Sequence, residues 1–262
     1  MSSLIATAAA SYWDERAHRY AFKGAGLAAI CSYGMPAFYN RYIDICQRRA
    51  LAPWLRKPAR PGSTALDVGC GVGRWSLQLA RQGHDVTAVD LSPRMIERAE
   101  ARAREAGLPC RFAVGDVATL ALDRTFDLIL SVTVLQHITE PRAAATAIER
   151  LAAHLSSTGE LVLLEAAPSL ATTRCDTAAF RARTLDWYEE ALGRAGLRLT
   201  GCHGVDPMPL KSWLVPAYRR MPRPLRLAAL ALTTAVSLPL DLALGRALTR
   251  RSWHVVLVAR HR

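Results

Sequence analysis

The sequence predicts an α/β fold in which strands and helices alternate and a ligand binds at the carboxyl edge of a largely parallel sheet. Residues 65–80, ALDVGCGVGRWSLQLA, form a buried strand, a glycine-dense turn and a helix with apolar residues at helical spacing. Residues 84–109 repeat this order, and Asp90 ends the second strand. A glycine backbone can take positive φ and lets a ligand lie against it, so a ligand is expected over the first turn.

The spacing of these glycines narrows the class of ligand. The pattern is G-x-G-x-G, and Arg74 stands where a dinucleotide-binding turn needs its last glycine. Asp67 ends the first strand, where its carboxylate would repel a diphosphate but could accept hydrogen bonds from a cationic amino-acid group. The turn therefore favours a ligand that carries an ammonium and a sulfonium.

DVGCGVGR followed by VTAVDLSPRMIERA resembles the first two motifs of the class I S-adenosylmethionine-dependent methyltransferases. The resemblance covers residues from about 65 to about 205 and the last strand. It implies a doubly wound, seven-stranded, mostly parallel sheet with S-adenosylmethionine as cofactor. Outside the core we expect helical additions, which divide the chain into a helical cap (1–60), the cofactor-binding core (61–206), a helical lid or insertion (207–251) and the last strand (252–262).

Most candidate cofactor residues follow strand ends. Asp90 is placed to accept hydrogen bonds from both ribose hydroxyls. The alternative is that Asp90 only competes with Ser92 as the cap of the following helix, which we assign to Ser92. The resemblance implies that Asp67 and the turn glycines hold the methionine part, and that Asp116 accepts from the adenine amine unless it is a solvated turn residue. The full predicted cofactor set is Tyr20, Asp67, Gly69, Gly71, Gly73, Asp90, Leu91, Met95, Asp116, Val117, Ser131 and Gln136.

Candidate catalytic residues follow the fourth and fifth strands. His137 can accept a proton near neutral pH, or can pack and fix its loop. Glu165 could orient the substrate or act as base, or form a supporting ion pair. In the resembling family a Y-W-D-x-x-A-x-x-Y stretch folds over the cofactor, so the aromatic cap could close the site as well as pack on the sheet. The predicted substrate-binding residues are Tyr12, Trp13, Tyr33 and Tyr39.

Composition bounds compartment and partners. The six cysteines include no C-x-x-C pair, which indicates a reducing compartment and no metal site. The amino terminus has no basic region ahead of its apolar run, so a signal peptide is not expected and the cytoplasm is. The net charge is +12, but residues 131–138, SVTVLQHI, lack the motif used to hold a base amine, so no nucleic-acid partner is expected.

The positive charge is concentrated around the insertion, which also contains the uncharged stretch 227–240. This stretch is shorter than the about 20 residues of a confident membrane span. It is either a lid that packs on the domain or an interfacial hairpin that contacts anionic lipid or admits an apolar substrate; contact with lipid would give peripheral membrane contact through 207–251.

The predicted function is methyl transfer to oxygen, nitrogen or a carboxylate of a small molecule, and a specialised metabolite is expected. One alternative is a membrane-surface methyltransferase of a lipid or prenylated substrate. Another is a cofactor-binding scaffold, regulator or cyclase that transfers no methyl group.

Overall fold

The computed structural model describes residues 2–31, 35–169, 177, 179–207 and 221–262. It contains a seven-stranded sheet in the order β3-β2-β1-β4-β5-β7-β6. β7 is antiparallel to both of its neighbours, β5 and β6, whereas the pairings from β3 to β5 are all parallel. The strands are β1 Thr64–Val68, β2 Asp85–Asp90, β3 Cys110–Val114, β4 Phe126–Val132, β5 Leu155–Ala166, β6 Leu197–Gly204 and β7 His254–His261. The predicted mostly parallel, seven-stranded sheet is confirmed.

Helices cover both faces of this sheet and its carboxyl edge. Four precede β1, and the others lie between strands. The helices are α1 Ser2–Tyr20, α2 Leu27–Ile30, α3 Ala37–Ala50, α4 Ala52–Leu55, α5 Ser76–Arg81, α6 Pro93–Ala106, α7 Pro141–Ala153, α8 Leu185–Arg194 and α9 Arg223–Leu244. Short 3-10 helices occupy Val117–Thr119, Leu135–His137 and Thr249–Arg251.

Two hydrophobic layers follow from the alternation of side chains along buried strands. Leu66 and Ile129 face one side of the sheet, where α7 and α8 pack, and Tyr188 of α8 is fully buried there. Leu130 and Val162 face the other side, under α3 and α5. This double covering holds the strand ends in a fixed register, so the residues that follow them are held close together.

The boundaries of α6 agree with its sequence signals. Ser92 is the N-cap and accepts a hydrogen bond from the Met95 amide, Pro93 is the first helical residue, and Gly107 ends the helix with φ 63°. The Ser-Thr-Gly composition of residues 157–159 favours a turn, but β5 begins at Leu155 and runs through them. A register shift opposite Phe126 and Leu128 accommodates the added length.

Candidate active site

The glycine turn lies between the cap and the loop that follows β4. Gly69, Gly71 and Gly73 all have positive φ, at 64°, 53° and 73°. A Cβ built on Gly71 would lie 2.5 Å from Cγ2 of Ile30 in the cap, and one on Gly69 would overlap Val134. Because neither position has room for a side chain, the turn needs glycine for packing as well as for its backbone conformation.

Asp90 joins this turn to the start of α6. One carboxylate oxygen accepts a hydrogen bond from the Gly71 amide at 2.8 Å, and the other accepts from the Ser92 amide at 2.9 Å. Burial raises the pKa of Asp90, and these amides oppose the rise. Each carboxylate oxygen can accept more than one hydrogen bond, so the carboxylate retains capacity for the two ribose hydroxyls that were predicted.

Asp67 lies beneath the turn, with 1% of its surface exposed. Its Oδ2 accepts a hydrogen bond from Ser76 at 2.5 Å, while Oδ1 has no hydrogen-bond partner among the described residues. Burial raises the pKa of this carboxyl to about 7. A buried acceptor without a donor costs free energy, so a cationic ligand group would fit here.

The cap is attached to the amino-terminal end of α6. Asp14 of α1 accepts hydrogen bonds from the Ser92 hydroxyl at 2.9 Å and the Arg94 amide at 3.1 Å, and it pairs with the Arg94 guanidinium. A carboxylate at a helix amino terminus also interacts favourably with the helix dipole. Met95 and Tyr20 pack against the buried Ala17 in the small cluster below α1. These contacts attach the cap to the start of α6.

Arg74 holds α3 against the same turn, a role that the sequence did not reveal. Its buried guanidinium pairs with Asp44 at 3.1 Å, donates to Gln47 and lies 3.7 Å from the centre of the Trp75 ring. Burial lowers its pKa, and Asp44 opposes that shift. Arg74 interrupts the dinucleotide pattern, but its partners are about thirty residues away in sequence, beyond the reach of a local motif.

The predicted adenine end is formed by the turn after β3. Asp116 is partly exposed, and its Oδ1 accepts from the Ala118 amide at 2.9 Å, capping the 3-10 helix. Val117 is buried in the core, and Leu91, which follows β2, is partly exposed. Asp116 keeps a second oxygen for the predicted contact with the adenine amine.

The loop after β4 is strained and firmly held. Thr133 has φ 56°, an unfavourable value for a β-branched residue, and its amide donates to the Leu164 carbonyl at 2.7 Å. Ser131, at the end of β4, is fully buried, and its hydroxyl has no partner among the described residues. Both residues lie at the edge where the transferred methyl group was expected.

Glu165 supports this loop from below. It is fully buried, and its carboxylate accepts from the amides of Val134, Leu135 and Gln136 at 2.9 to 3.1 Å. Burial raises its pKa to about 7, and these amides oppose the rise. This geometry argues against the prediction that Glu165 is a base or touches the acceptor, because the carboxyl is fully buried beneath the loop that it holds.

Gln136 is also tied to β5. Its side-chain oxygen accepts from the Ala166 amide at 2.9 Å, and 6% of the residue is exposed. Its side-chain nitrogen lies 3.4 Å from Nε2 of His137. The side chain therefore joins the strand edge to His137.

His137 is oriented from two sides. Its Nδ1 lies 2.7 Å from the Ala179 carbonyl, which can only accept, so we assign the proton to Nδ1 and the lone pair to Nε2. The rings of Trp13 and Phe180 meet it edge-on, with centroids 4.8 and 6.0 Å away. Burial lowers its pKa to about 4, so the imidazole is neutral at physiological pH.

The predicted substrate residues do not all meet at His137. Tyr12 is 43% exposed and touches Trp13, which contacts His137 directly. Tyr39 packs on Tyr42 in the hydrophobic layer on the α3 side of the sheet. Tyr33 lies outside the described residues. Phe180, which the sequence analysis missed, joins Trp13 at the histidine; it follows residues with no clear motif, so no sequence signal indicated it.

Comparison with known proteins agrees with this arrangement. Residues 65–159 match the family model described as a methyltransferase domain. Together with the fold, this match supports the class I S-adenosylmethionine-dependent methyltransferase that the sequence predicts.

Similarity to individual proteins is more limited. The chain is 37% identical over 92 residues to a ubiquinone biosynthesis O-methyltransferase of Xanthomonas oryzae pv. oryzae, covering 34% of this chain and 38% of that protein. The chain thus spans well under half the length of the curated relatives it matches.

Two solved structures extend the comparison of the fold. Magnesium protoporphyrin IX methyltransferase from Synechocystis PCC 6803, with bound SAH, has a TM-score of 0.62 at 18% identity and covers 98% of this chain and 99% of its own. An O-methyltransferase from a Brevibacillus brevis polyketide multienzyme, also in complex with S-adenosyl-L-homocysteine, has a TM-score of 0.61 at 15% identity, covering 86% and 76%.

Proposed function

We propose that the chain transfers the methyl group of S-adenosylmethionine to an oxygen atom of a small molecule. The observation that carries the proposal is that the glycine turn, the acids Asp67 and Asp90, and an oriented neutral histidine all lie at the same edge of the sheet. When bound, S-adenosylmethionine supplies a methyl group activated by its sulfonium. The matched relatives that are named O-methyltransferases support oxygen over nitrogen as the acceptor atom.

The cofactor residues act by position. Asp90 accepts from the ribose hydroxyls, Asp116 accepts from the adenine amine, and Asp67 with the glycine turn faces the methionine ammonium. Tyr20, Leu91, Met95 and Val117 supply the apolar walls, and Ser131 lies at the strand edge near the reacting atoms. Methyl transfer is an in-line displacement, so alignment and exclusion of water provide most of the acceleration.

His137 serves as the proton acceptor for a hydroxyl on the acceptor molecule. The Ala179 carbonyl holds its Nδ1–H, which places the lone pair on Nε2, and the acceptor hydroxyl takes the place of the Gln136 side-chain nitrogen that lies 3.4 Å from this atom. Its low pKa keeps it unprotonated, so it takes a proton only as the hydroxyl becomes acidic during transfer. Trp13 and Phe180 border the imidazole and favour a flat, apolar acceptor, as expected for a specialised metabolite handled in the cytoplasm.

Calorimetry tests the cofactor half of the proposal. S-adenosylmethionine and S-adenosylhomocysteine should both bind the wild type, and Asp90→Asn should weaken both by at least about tenfold, the value of a charge-assisted hydrogen bond. Asp123→Asn, at an exposed turn before β4, is the matched control and should bind normally. If the wild type binds neither compound, the proposal is wrong.

Mass spectrometry tests the transfer half. A panel of phenols, hydroxyquinones, carboxylic acids and amines is incubated with the wild type and cofactor, and one methyl replacing one hydrogen is expected on a hydroxyl compound. His137→Gln should lower kcat by about a hundredfold while cofactor affinity is unchanged. Cofactor binding without methylation of any compound would support the non-transferring alternative.

A further inference from the structure

Helix α9 presents most of its leucines to solvent, whereas its polar residues Ser237 and Asp241 are buried against the protein. Within residues 227–244 the buried positions are Leu230, Ser237 and Asp241. Every exposed position in this span is apolar; they are Leu227, Ala228, Ala231, Leu232, Ala235, Val236, Pro239, Leu240, Ala243 and Leu244. A helix that only packed on the domain would show the reverse pattern.

A buried polar contact fixes this rotation of the helix. Asp241 is 3% exposed and accepts a hydrogen bond from the Tyr42 hydroxyl of α3, and Ser237 is fully buried on the same side. Rotating the helix to turn the leucines inward would break the hydrogen bond between Tyr42 and Asp241 and leave the buried Tyr42 hydroxyl without this partner. The outward apolar face is therefore built into the fold.

Basic residues flank the apolar face at both ends. Arg223 precedes it, Arg246, Arg250 and Arg251 follow it, and all four are exposed. Leu227 and Leu244 are about 26 Å apart at the helical rise of about 1.5 Å per residue. A charge-free apolar face about this long with arginines at both ends is typical of a helix that lies in the plane of a membrane surface.

We propose that the chain docks on an anionic lipid surface through α9, with Leu232, Val236 and Leu240 at the acyl boundary and the flanking arginines among the headgroups. Among the described residues, α9 is long and apolar enough to cross a membrane by length and composition alone. Its buried contact with α3 favours lying flat over crossing. This proposal is independent of methyl transfer, because lipid binding needs neither cofactor nor acceptor.

A second copy of the chain is the competing occupant, and charge disfavours it. If two α9 helices packed face to face, their arginine-rich ends would meet in either orientation. Like charges at both ends oppose such a dimer, whereas anionic headgroups match them.

Flotation with vesicles tests the proposal on the full chain. The wild type should float with vesicles of equal phosphatidylglycerol and phosphatidylcholine, remain unbound with pure phosphatidylcholine, and dissociate in high salt. Leu232→Glu, at a 67% exposed position, should reduce partitioning at least about tenfold. Arg250→Ala should reduce it about fivefold.

Val114→Glu is the matched control. Val114 is 54% exposed on β3, at the sheet edge opposite β6, so this variant makes the same charge change away from α9 and should float like the wild type. The proposal is overturned if the wild type does not float, if Leu232→Glu floats equally well, or if neutral and anionic vesicles bind alike. If the wild type does not float but forms a dimer in ultracentrifugation, and Leu232→Glu abolishes that dimer, the apolar face binds a second copy of the chain instead.

Discussion

Cofactor affinity should decrease as the pH is lowered, because Asp67 must be deprotonated to pair with the ammonium group of the cofactor. Burial raises the pKa of this carboxyl from its ordinary 3.8 to about 7, Asp90 adds to the rise, and Ser76 and Arg74 oppose it. Below about pH 7 the empty site therefore holds a neutral Asp67. A ligand that needs the ionised form must displace that proton.

The magnitude follows from the fraction of Asp67 that is ionised. That fraction is about one half at pH 7 and about one hundredth at pH 5, so affinity should fall about fiftyfold across this interval. The α-amino group of the ligand stays protonated throughout. The pH dependence of stability is opposite to that of cofactor affinity. Protonated Asp67 stabilises the folded chain, and this contribution to the free energy of unfolding is complete below about pH 3.8 and is lost as the pH rises to about 7.

Calorimetry with S-adenosylhomocysteine at several pH values measures this linkage. Asp67→Asn keeps an oxygen to accept from Ser76, so the variant should fold, bind more weakly at pH 7 and lose the Asp67 part of the pH dependence. Methylthioadenosine lacks the amino-acid group and reports the effect of Asp90 alone. Equal pH slopes for both ligands, or an unchanged slope in Asp67→Asn, would refute an ion pair at Asp67.

Two further predictions concern packing around the turn. Gly71→Ala should cost more stability than Gly24→Ala. The two glycines have nearly the same φ, but a Cβ on Gly71 would lie 2.5 Å from Ile30, whereas Gly24 has open space. In urea unfolding, Gly24→Ala should therefore show only the backbone strain of about 1 kcal/mol, and Gly71→Ala should show this strain plus the clash. Arg74→Met should cost about 2 kcal/mol, because it removes the buried hydrogen bonds to Asp44 and Gln47 and leaves Asp44 paired with the more exposed Arg48 alone. Arg111→Met, in an exposed ion pair, should cost less than about 1 kcal/mol; similar losses would contradict the role of burial.

The elements that the sequence predicted best are those set by local chemistry. The glycine turn needs residues without Cβ, and α6 is bounded by Ser92, Pro93 and Gly107, whose backbone preferences are intrinsic. The mostly parallel, seven-stranded sheet came from the family resemblance. In each case the signal lies within a few neighbouring residues or within a motif.

The contacts that local patterns could not predict join distant segments. Asp14 bonds to Ser92, which is 78 residues away in sequence. Glu165 holds the loop after β4, a role that depends on a contact between β5 and that loop. A fully buried carboxyl and a solvent-facing one look alike in sequence. Their difference arises from tertiary packing, which also decides that α9 turns its leucines outward.

The position of β7 imposes an order on assembly. β6 pairs only with β7 in the described sheet, yet β7 is made later and must enter between β5 and β6. While the chain is being synthesised, β6 can therefore have its helix α8 but not its neighbour in the sheet, and the β5 edge stays open. A ribosome-bound chain should thus gain its cofactor half, β1 to β5, before β7 completes the sheet.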